Sequence, residues 1–352
     1  MSRLADAGVV VTVGVDTHRD VHVAAALDER GGLLASGSFP VSREGYEALI
    51  GWAGGLGGVG TIGIEGTGSW GAGLARHLME RGFDCVEVSR PNRQHRRRHG
   101  KSDTADALGA ARAALSGEAA GRPRGGVGPV EGLRTNRVAL RSAVKARTQA
   151  INQLKSLVTT APAALRAALE GLSNQKLVSR AAGFKPIGLD MAATTKRSMR
   201  SLARRVEYLD GEIGDLEADR EELVDLAAPS ELMDEYGVGP AVAASLLITY
   251  GSNPDRIGDE AAFAALCGVS AVDASSGLHQ RHRLNRGGDR QANHALWRIV
   301  TVRMAHHQPT RDYITRRIAD GKTKREAMRA LKRHVARRIW RILNNHPPLD
   351  KP

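Results

Sequence analysis

The chain has 352 residues, enough for two or three domains that each bury their own core. Hydrophobic residues at 41% and charged residues at 25% are ordinary for a globular protein, so neither a disordered nor a fibrous chain is expected. The net charge of +13 is not ordinary and points to a polyanionic partner, because clustered Lys and Arg gain by displacing counterions from phosphates. The bland alternative is a solvated basic surface on an Arg- and Ala-rich chain. No apolar run approaches membrane-spanning length, the N-terminus lacks signal-peptide architecture, and Cys85 and Cys267 have no metal-ligand spacing. A cytoplasmic, nucleoid-associated protein is expected.

Strands are predicted over Val9–Val15, Val21–Leu27 and, after the Gly31-Gly32 turn, Leu33–Phe39, which together form a meander. A helix from about Arg43 to Trp52 precedes the strand Thr61–Ile64. Gly68 or Ser69 then opens a helix to about Glu80, before the strand Phe83–Val88. Three antiparallel strands followed by alternating helices and strands give the order of a ribonuclease H-like, RuvC-like α/β sheet, over residues 1–120. Residues 117–129 have linker composition. Beyond them Leu140, Val144, Ile151, Leu154 and Val158, then Leu202, Val206, Leu209, Ile213, Leu216 and Leu223, follow heptad-like steps. Residues 121–228 therefore predict a helical middle region. It is an antiparallel hairpin, an intermolecular coiled coil, or two amphipathic helices on a globular core. A mainly α C-terminal domain is expected over 229–352. Its segment Gly237-Val238-Gly239-Pro240 has the form of a helix-hairpin-helix turn, or of a plain helix connection.

Four acidic residues fall where a metal-dependent nuclease needs them. Asp16 ends the first strand, Glu65 ends the fourth, and Asp103 and Asp106 share one face of a helix start. Carboxylates gathered at strand ends are compatible only if divalent cations neutralise them, as in two-metal phosphoryl transfer. Taken singly, each has a plainer reading: a turn former for Asp16, and helix capping by Ser102 or Asp103 with acid in the first turn. Basic residues expected to hold nucleic acid are Arg96, Arg97, Arg98 and Lys101 just before the Asp pair. Others are Arg281, Arg283, Arg286 and Arg290, and then Lys322, Lys324 and Arg325. The triplet Ser275-Ser276-Gly277 is by itself an exposed turn, with no neighbour in sequence to activate a serine. Trp70 suits core packing, or stacking on a base. The scattered histidines, His18 among them, show no zinc pattern.

Several of these segments resemble the DEDD-type transposases of insertion-sequence family 110. Gly14-Val15-Asp16-Thr17-His18, Ile64-Glu65-Gly66-Thr67-Gly68 and Lys101-Ser102-Asp103-Thr104-Ala105-Asp106-Ala107 match the family's RuvC-like domain. Gly237-Val238-Gly239-Pro240, the Ser-Ser-Gly triplet, the tract Arg281–Asn293 and Gly321–Ala327 match its C-terminal domain. The resemblance implies DNA recombination by a quartet, Asp16, Glu65, Asp103 and Asp106, that binds Mg²⁺, two ions per site. It also implies a serine, Ser275 with Ser276 as fallback, that bonds covalently to DNA. A guide RNA and a homo-oligomer that pairs one subunit's quartet with another's serine are implied as well. Many relatives have Gly-Gly after the serines, whereas here Gly277 precedes Leu278. Two alternatives remain: a RuvC-like nuclease or junction resolvase that uses water, and a non-catalytic nucleic-acid scaffold.

Overall fold

The computed structural model describes residues 10–89, 102–119, 121–251, 257–274 and 282–346. The chain divides into two compact units, one of residues 1–127 and 250–262, the other of 128–249 and 263–352.

The first unit is built on five strands, β1 (Val10–Thr17), β2 (Val21–Leu27), β3 (Leu33–Pro40), β4 (Gly58–Glu65) and β5 (Asp84–Val88), in the order β3-β2-β1-β4-β5. β1 pairs antiparallel with β2 and β2 with β3, whereas β1 and β4, and β4 and β5, run parallel. This mixed sheet, with helices after β3, β4 and β5, is consistent with a RuvC-like domain. Alternation along β1 sends Val11, Val13 and Val15 into a core shared with Ile62, Ile64, Leu49 and Leu74. Leu49 and Leu74 belong to α1 (Arg43–Gly54) and α2 (Ala72–Glu80). The second of these begins later than the sequence suggests. Gly66, at φ +67°, turns the chain after Glu65, and residues 66–71 form turns closed by Ser69 and Gly71 N–H groups donating to the Gly66 carbonyl.

The opposite sheet face takes α3 (Asp103–Leu115), and glycine decides how closely. A Cβ on Gly14 would sit 2.0 Å from the Ala111 nitrogen and 2.3 Å from the Ala107 carbonyl oxygen. One on Gly63 would sit 2.9 Å from both the Ala110 carbonyl oxygen and the Ala114 Cβ. Small residues on both sides thus let helix backbone lie directly on strand backbone.

In the second unit the two long helices are α4 (Gly128–Thr159) and α7 (Met191–Ala227), joined through α5 (Ala163–Leu169) and α6 (Asn174–Ala182). They run antiparallel within the chain. Asn136 donates to the Leu216 carbonyl at 3.0 Å, Arg147 pairs with Asp210, and Gly132 faces Leu223. Of the expected seam residues, Leu140, Ile151, Leu154 and Val158 are buried, but Val144 is 45% exposed, so the heptad reading breaks there. The connection is itself helical, and packs Leu165, Leu169, Leu177 and Val178 against the hairpin's far end. The rest comprises α8 (Ser230–Met233), α9 (Pro240–Tyr250), α10 (Glu260–Leu266) and the two-stranded ribbon β6 (Val272–Asp273) and β7 (His282–Arg283). Three further helices follow: α11 (Arg290–His306), α12 (Gln308–Ala319) and α13 (Lys324–Asn345). Gly237 has φ +86°, and a Cβ added there would lie 3.2 Å from the Ile299 carbonyl oxygen of α11. Left-handed backbone and this contact account for Gly237, whereas a Cβ on Gly239 would meet nothing within 4 Å. Among the described residues, no helix is long and apolar enough to cross a membrane.

Candidate metal centre

Register places the first two acids. Val15 pairs with Ile64 in the parallel β1–β4 ladder, so the next residues, Asp16 and Glu65, end neighbouring strands. Both lie two residues beyond the glycines that α3 covers, and side chains two apart share a sheet face. On the helix, Asp103 lies one turn before Ala107, which sits over Gly14, and Asp106 one turn before Ala110, which sits over Gly63. The packing that needs Gly14 and Gly63 therefore also carries the start of α3 toward the strand ends. Ser102 caps this helix by accepting from the Ala105 N–H at 3.2 Å, and both acids occupy its first turn. The capping reading of these residues is thus correct as well, and does not compete with their gathering.

Asp16 and Asp103 come together most tightly, with a third residue between them. Nδ1 of His18 lies 3.6 Å from Oδ2 of Asp16, and its Nε2 lies 3.7 Å from Oδ1 of Asp103. One ligand atom from each of the three falls within 4.8 Å of the others. Glu65 and Asp106 are outside that tight group, yet their charges act on the same carboxyl. Burial raises the Asp16 pKa from 3.8 to about 6. His18 opposes the rise, while Glu65, Asp106 and Asp103 add to it. Asp16 is 7% exposed. Around it the strand ends are stitched by the Thr17 hydroxyl, which donates to the Glu65 carbonyl at 2.8 Å.

His18 is the residue that sequence reasoning passed over by treating the histidines as scattered. Its signal was proximity: it follows Asp16 by two residues, just past the end of β1. Its Nδ1 is buried and, among the described residues, makes no hydrogen bond. An orphaned nitrogen beside a desolvated carboxylate fits a divalent cation, with oxygen donors in the majority.

Trp70 is not a core residue; it is 54% exposed. Gly71, the next residue, approaches the Glu65 carbonyl so closely that a Cβ there would lie 2.8 Å from it. His22 on β2 is fully buried and stacks on Tyr46 at 5.8 Å. Burial, then His18, lowers its pKa to about 4.

Of the expected basic contacts, Arg283, Arg286, Arg290, Lys322, Lys324 and Arg325 are exposed. Arg96, Arg97, Arg98, Lys101 and Arg281 lie outside the described residues, as do Ser275, Ser276 and Gly277. Not all of the C-terminal cations are available to a ligand. Arg303 donates to the buried Glu235 carboxylate at 2.7 Å and to the Tyr236 carbonyl at 2.7 Å, and Arg338 pairs with the same carboxylate.

Two family models match the chain. A DEDD transposase model of the IS110 group covers residues 13–161, and the model of the transposase IS116/IS110/IS902 family covers 230–315. A comparison with curated proteins finds no match. The first model spans the acidic strand ends and α3, and the second spans the Gly-Val-Gly turn, the ribbon and α11. The chain belongs to the IS116/IS110/IS902 family of transposases, enzymes that recombine DNA.

Proposed function

We propose that this transposase cleaves and exchanges DNA strands at a magnesium-dependent centre formed by Asp16, Glu65, Asp103 and Asp106, with a serine of the C-terminal domain as nucleophile. The observation that carries the reading is the crowding at Asp16: a buried carboxylate raised to about 6, with three more acids acting on it and only His18 opposing them. Such a site is electrostatically unfavourable until a cation enters. Asp16 and Asp103 would hold the ion first, with Glu65 and Asp106 completing a second position. When bound, divalent ions supply charge stabilisation for a scissile phosphate and lower the pKa of an attacking hydroxyl.

The chain's own residues have separate tasks. Asp16 must give up its proton before it can ligate. His18, 3.6 Å from Asp16 and 3.7 Å from Asp103, holds the two carboxylates in place. Trp70, exposed in the turn that follows Glu65, offers a face on which a base can stack. Ser275, with Ser276 as the alternative, attacks phosphorus and so forms a phosphodiester to protein, releasing the 3′ or 5′ oxygen of the broken strand. Arg96, Arg97, Arg98, Lys101 and Arg281, together with the exposed C-terminal cations, bind flanking phosphates. A guide RNA would choose the sequence by pairing, and a homo-oligomer would bring one subunit's acids to another's serine. The division into a catalytic domain over 1–120, a helical coiled-coil region over 121–228 and a nucleophile domain over 229–352 belongs to the same proposal.

The deciding experiment is to trap a protein–DNA adduct with Mg²⁺ present and map the attached residue. The adduct is expected in the wild type and in one of Ser275→Ala and Ser276→Ala, and lost in the other. Cleavage without any adduct would instead identify a hydrolytic nuclease using water.

A further inference from the structure

A cavity of about 440 Å³ opens in the helical unit between the segment 268–271, the β7 strand with Leu284 and Asn285, and the helices α12 and α13. Its walls are fixed by glycine and amide contacts. A Cβ on Gly268 would lie 2.4 Å from the Gly287 carbonyl oxygen, and one on Gly288 would lie 2.5 Å from the Leu266 carbonyl oxygen. Asn293 bolts this crossing to α11, donating to the carbonyls of Cys267 at 2.9 Å and Gly268 at 3.0 Å. Lys332, 7% exposed, donates from Nζ to the Asn293 Oδ1 at 2.9 Å.

The lining is strongly one-signed. Arg283, Arg317, Lys322, Arg329, Lys332 and Arg333 contribute to it, against one lining acid, Glu326, although Arg317 is also paired with Asp320 at 3.3 Å. That carboxylate is already engaged at the start of α13, accepting from the Thr323 N–H at 2.9 Å and hydroxyl at 2.7 Å. Burial, then Arg329, pushes the Lys332 ammonium below its usual pKa. A buried ammonium among arginines is the reverse of the Asp16 arrangement and calls for an anion. Leu284, 52% exposed, adds an apolar patch to the wall.

We propose that this cavity receives a phosphodiester and its nucleotide from an unpaired DNA strand. The volume suits a nucleotide-sized group, since pockets for such ligands run from about 300 to 1,000 Å³. A duplex carries its phosphates on convex ridges and would not enter. β7 supplies His282 and Arg283 to the wall and pairs with β6, and in sequence the serine triplet falls between these two strands. The inference rests on the serine-nucleophile reading for its choice of DNA.

The test measures binding of the full chain to short fluorescent oligonucleotides, as single-stranded DNA, duplex DNA and single-stranded RNA, across a salt series. Lys322→Ala, at an exposed position, and Arg329→Ala are compared with wild type after melting curves confirm the fold. Each is expected to weaken single-stranded DNA binding about tenfold and to lower the log–log salt slope by about 0.7, with a smaller loss on duplex. Equal losses for duplex and single strand, no loss at all, or a loss confined to RNA would each overturn the assignment. The same titration on Ser275→Ala and Ser276→Ala separates the two readings. Strand capture that depends on Lys322 and Arg329 in a protein that forms no adduct leaves the cavity standing and removes the nucleophile. An adduct formed by proteins whose cavity variants bind normally does the reverse.

Discussion

The two units gather opposite charge by a similar device. In the sheet unit, Gly14 and Gly63 let α3 lie on bare backbone, and the acids one turn along meet the strand ends. In the helical unit, Gly268 and Gly288 let two loops cross at backbone distance, and a cationic cavity opens beside the crossing. In both, the missing Cβ sets where charge collects. The units differ in what holds each charge. Strand register and helix phase fix the acids, so each is placed by its own neighbours in sequence. The cations reach the cavity from β7, α12 and α13, so only tertiary packing can assemble them.

The largest effect expected from this contrast is chemical. Asp16→Asn keeps the shape of the acidic site and removes its most buried negative charge. Strand cleavage should fall on the order of 10³-fold while DNA affinity, carried by the cations, stays within a factor of about two. Gel assays of cleavage and binding on the same preparation read both quantities. Parallel loss of binding would mean that the acids and the cations do not act separately.

Gly14→Ala attacks the device itself. Its methyl would meet the Ala111 nitrogen at 2.0 Å, and helix backbone cannot yield as a side-chain tip can. Overpacking of this kind costs about 1–3 kcal/mol, at the upper end here. A lowered melting temperature should accompany lost cleavage. Unchanged melting would show that α3 does not rest on β1 as described.

Asp16 also makes a prediction about pH. Its folded-state pKa, about 6, lies above the 3.8 of the unfolded chain, so the folded form binds the extra proton. That contribution is present below about pH 4 and is lost as pH rises through about 6, a loss of at most about 3 kcal/mol in metal-free protein. His22 works in the opposite sense. With its pKa lowered from 6.5 to about 4, it costs stability as pH falls through that window. Urea melts of wild type should therefore be compared with Asp16→Asn, in which only the histidine trend remains. Identical pH profiles would show that Asp16 carries no buried-charge penalty.

The smallest effect concerns the exposed indole. Trp70→Ala should weaken single-stranded DNA binding by about 1–2 kcal/mol without altering the melting temperature, measured by anisotropy and calorimetry. A stability loss instead would return Trp70 to a packing role.

How much of this could be read from the residues follows from the same contrast. The valines of β1 alternate, the meander turns at Gly31-Gly32, and Asp16 and Glu65 end strands that pair in register, so the sheet and its acids were legible. His18 required attention to its proximity to Asp16. α2 starts at Ala72, later than Gly68 or Ser69, because the glycine-rich stretch 66–71 closes turns on the Gly66 carbonyl instead of helix. In the helical unit, basic residues could be counted but not sorted. Nothing local marks Arg303 and Arg338 as bound to Glu235, or Lys332 as buried, because their partners are distant in the chain.

The most direct test of the acidic centre is a Mn²⁺ titration of metal-free protein, followed by calorimetry at pH 7.5 and 5.5, on wild type, Asp16→Asn and Asp103→Asn. Wild type should bind at the higher pH and more weakly at the lower, where Asp16 holds its proton, and both variants should lose the tightest site. Equal affinity in wild type and Asp16→Asn would contradict the account, since the carboxylate most in need of a cation would then not be holding one.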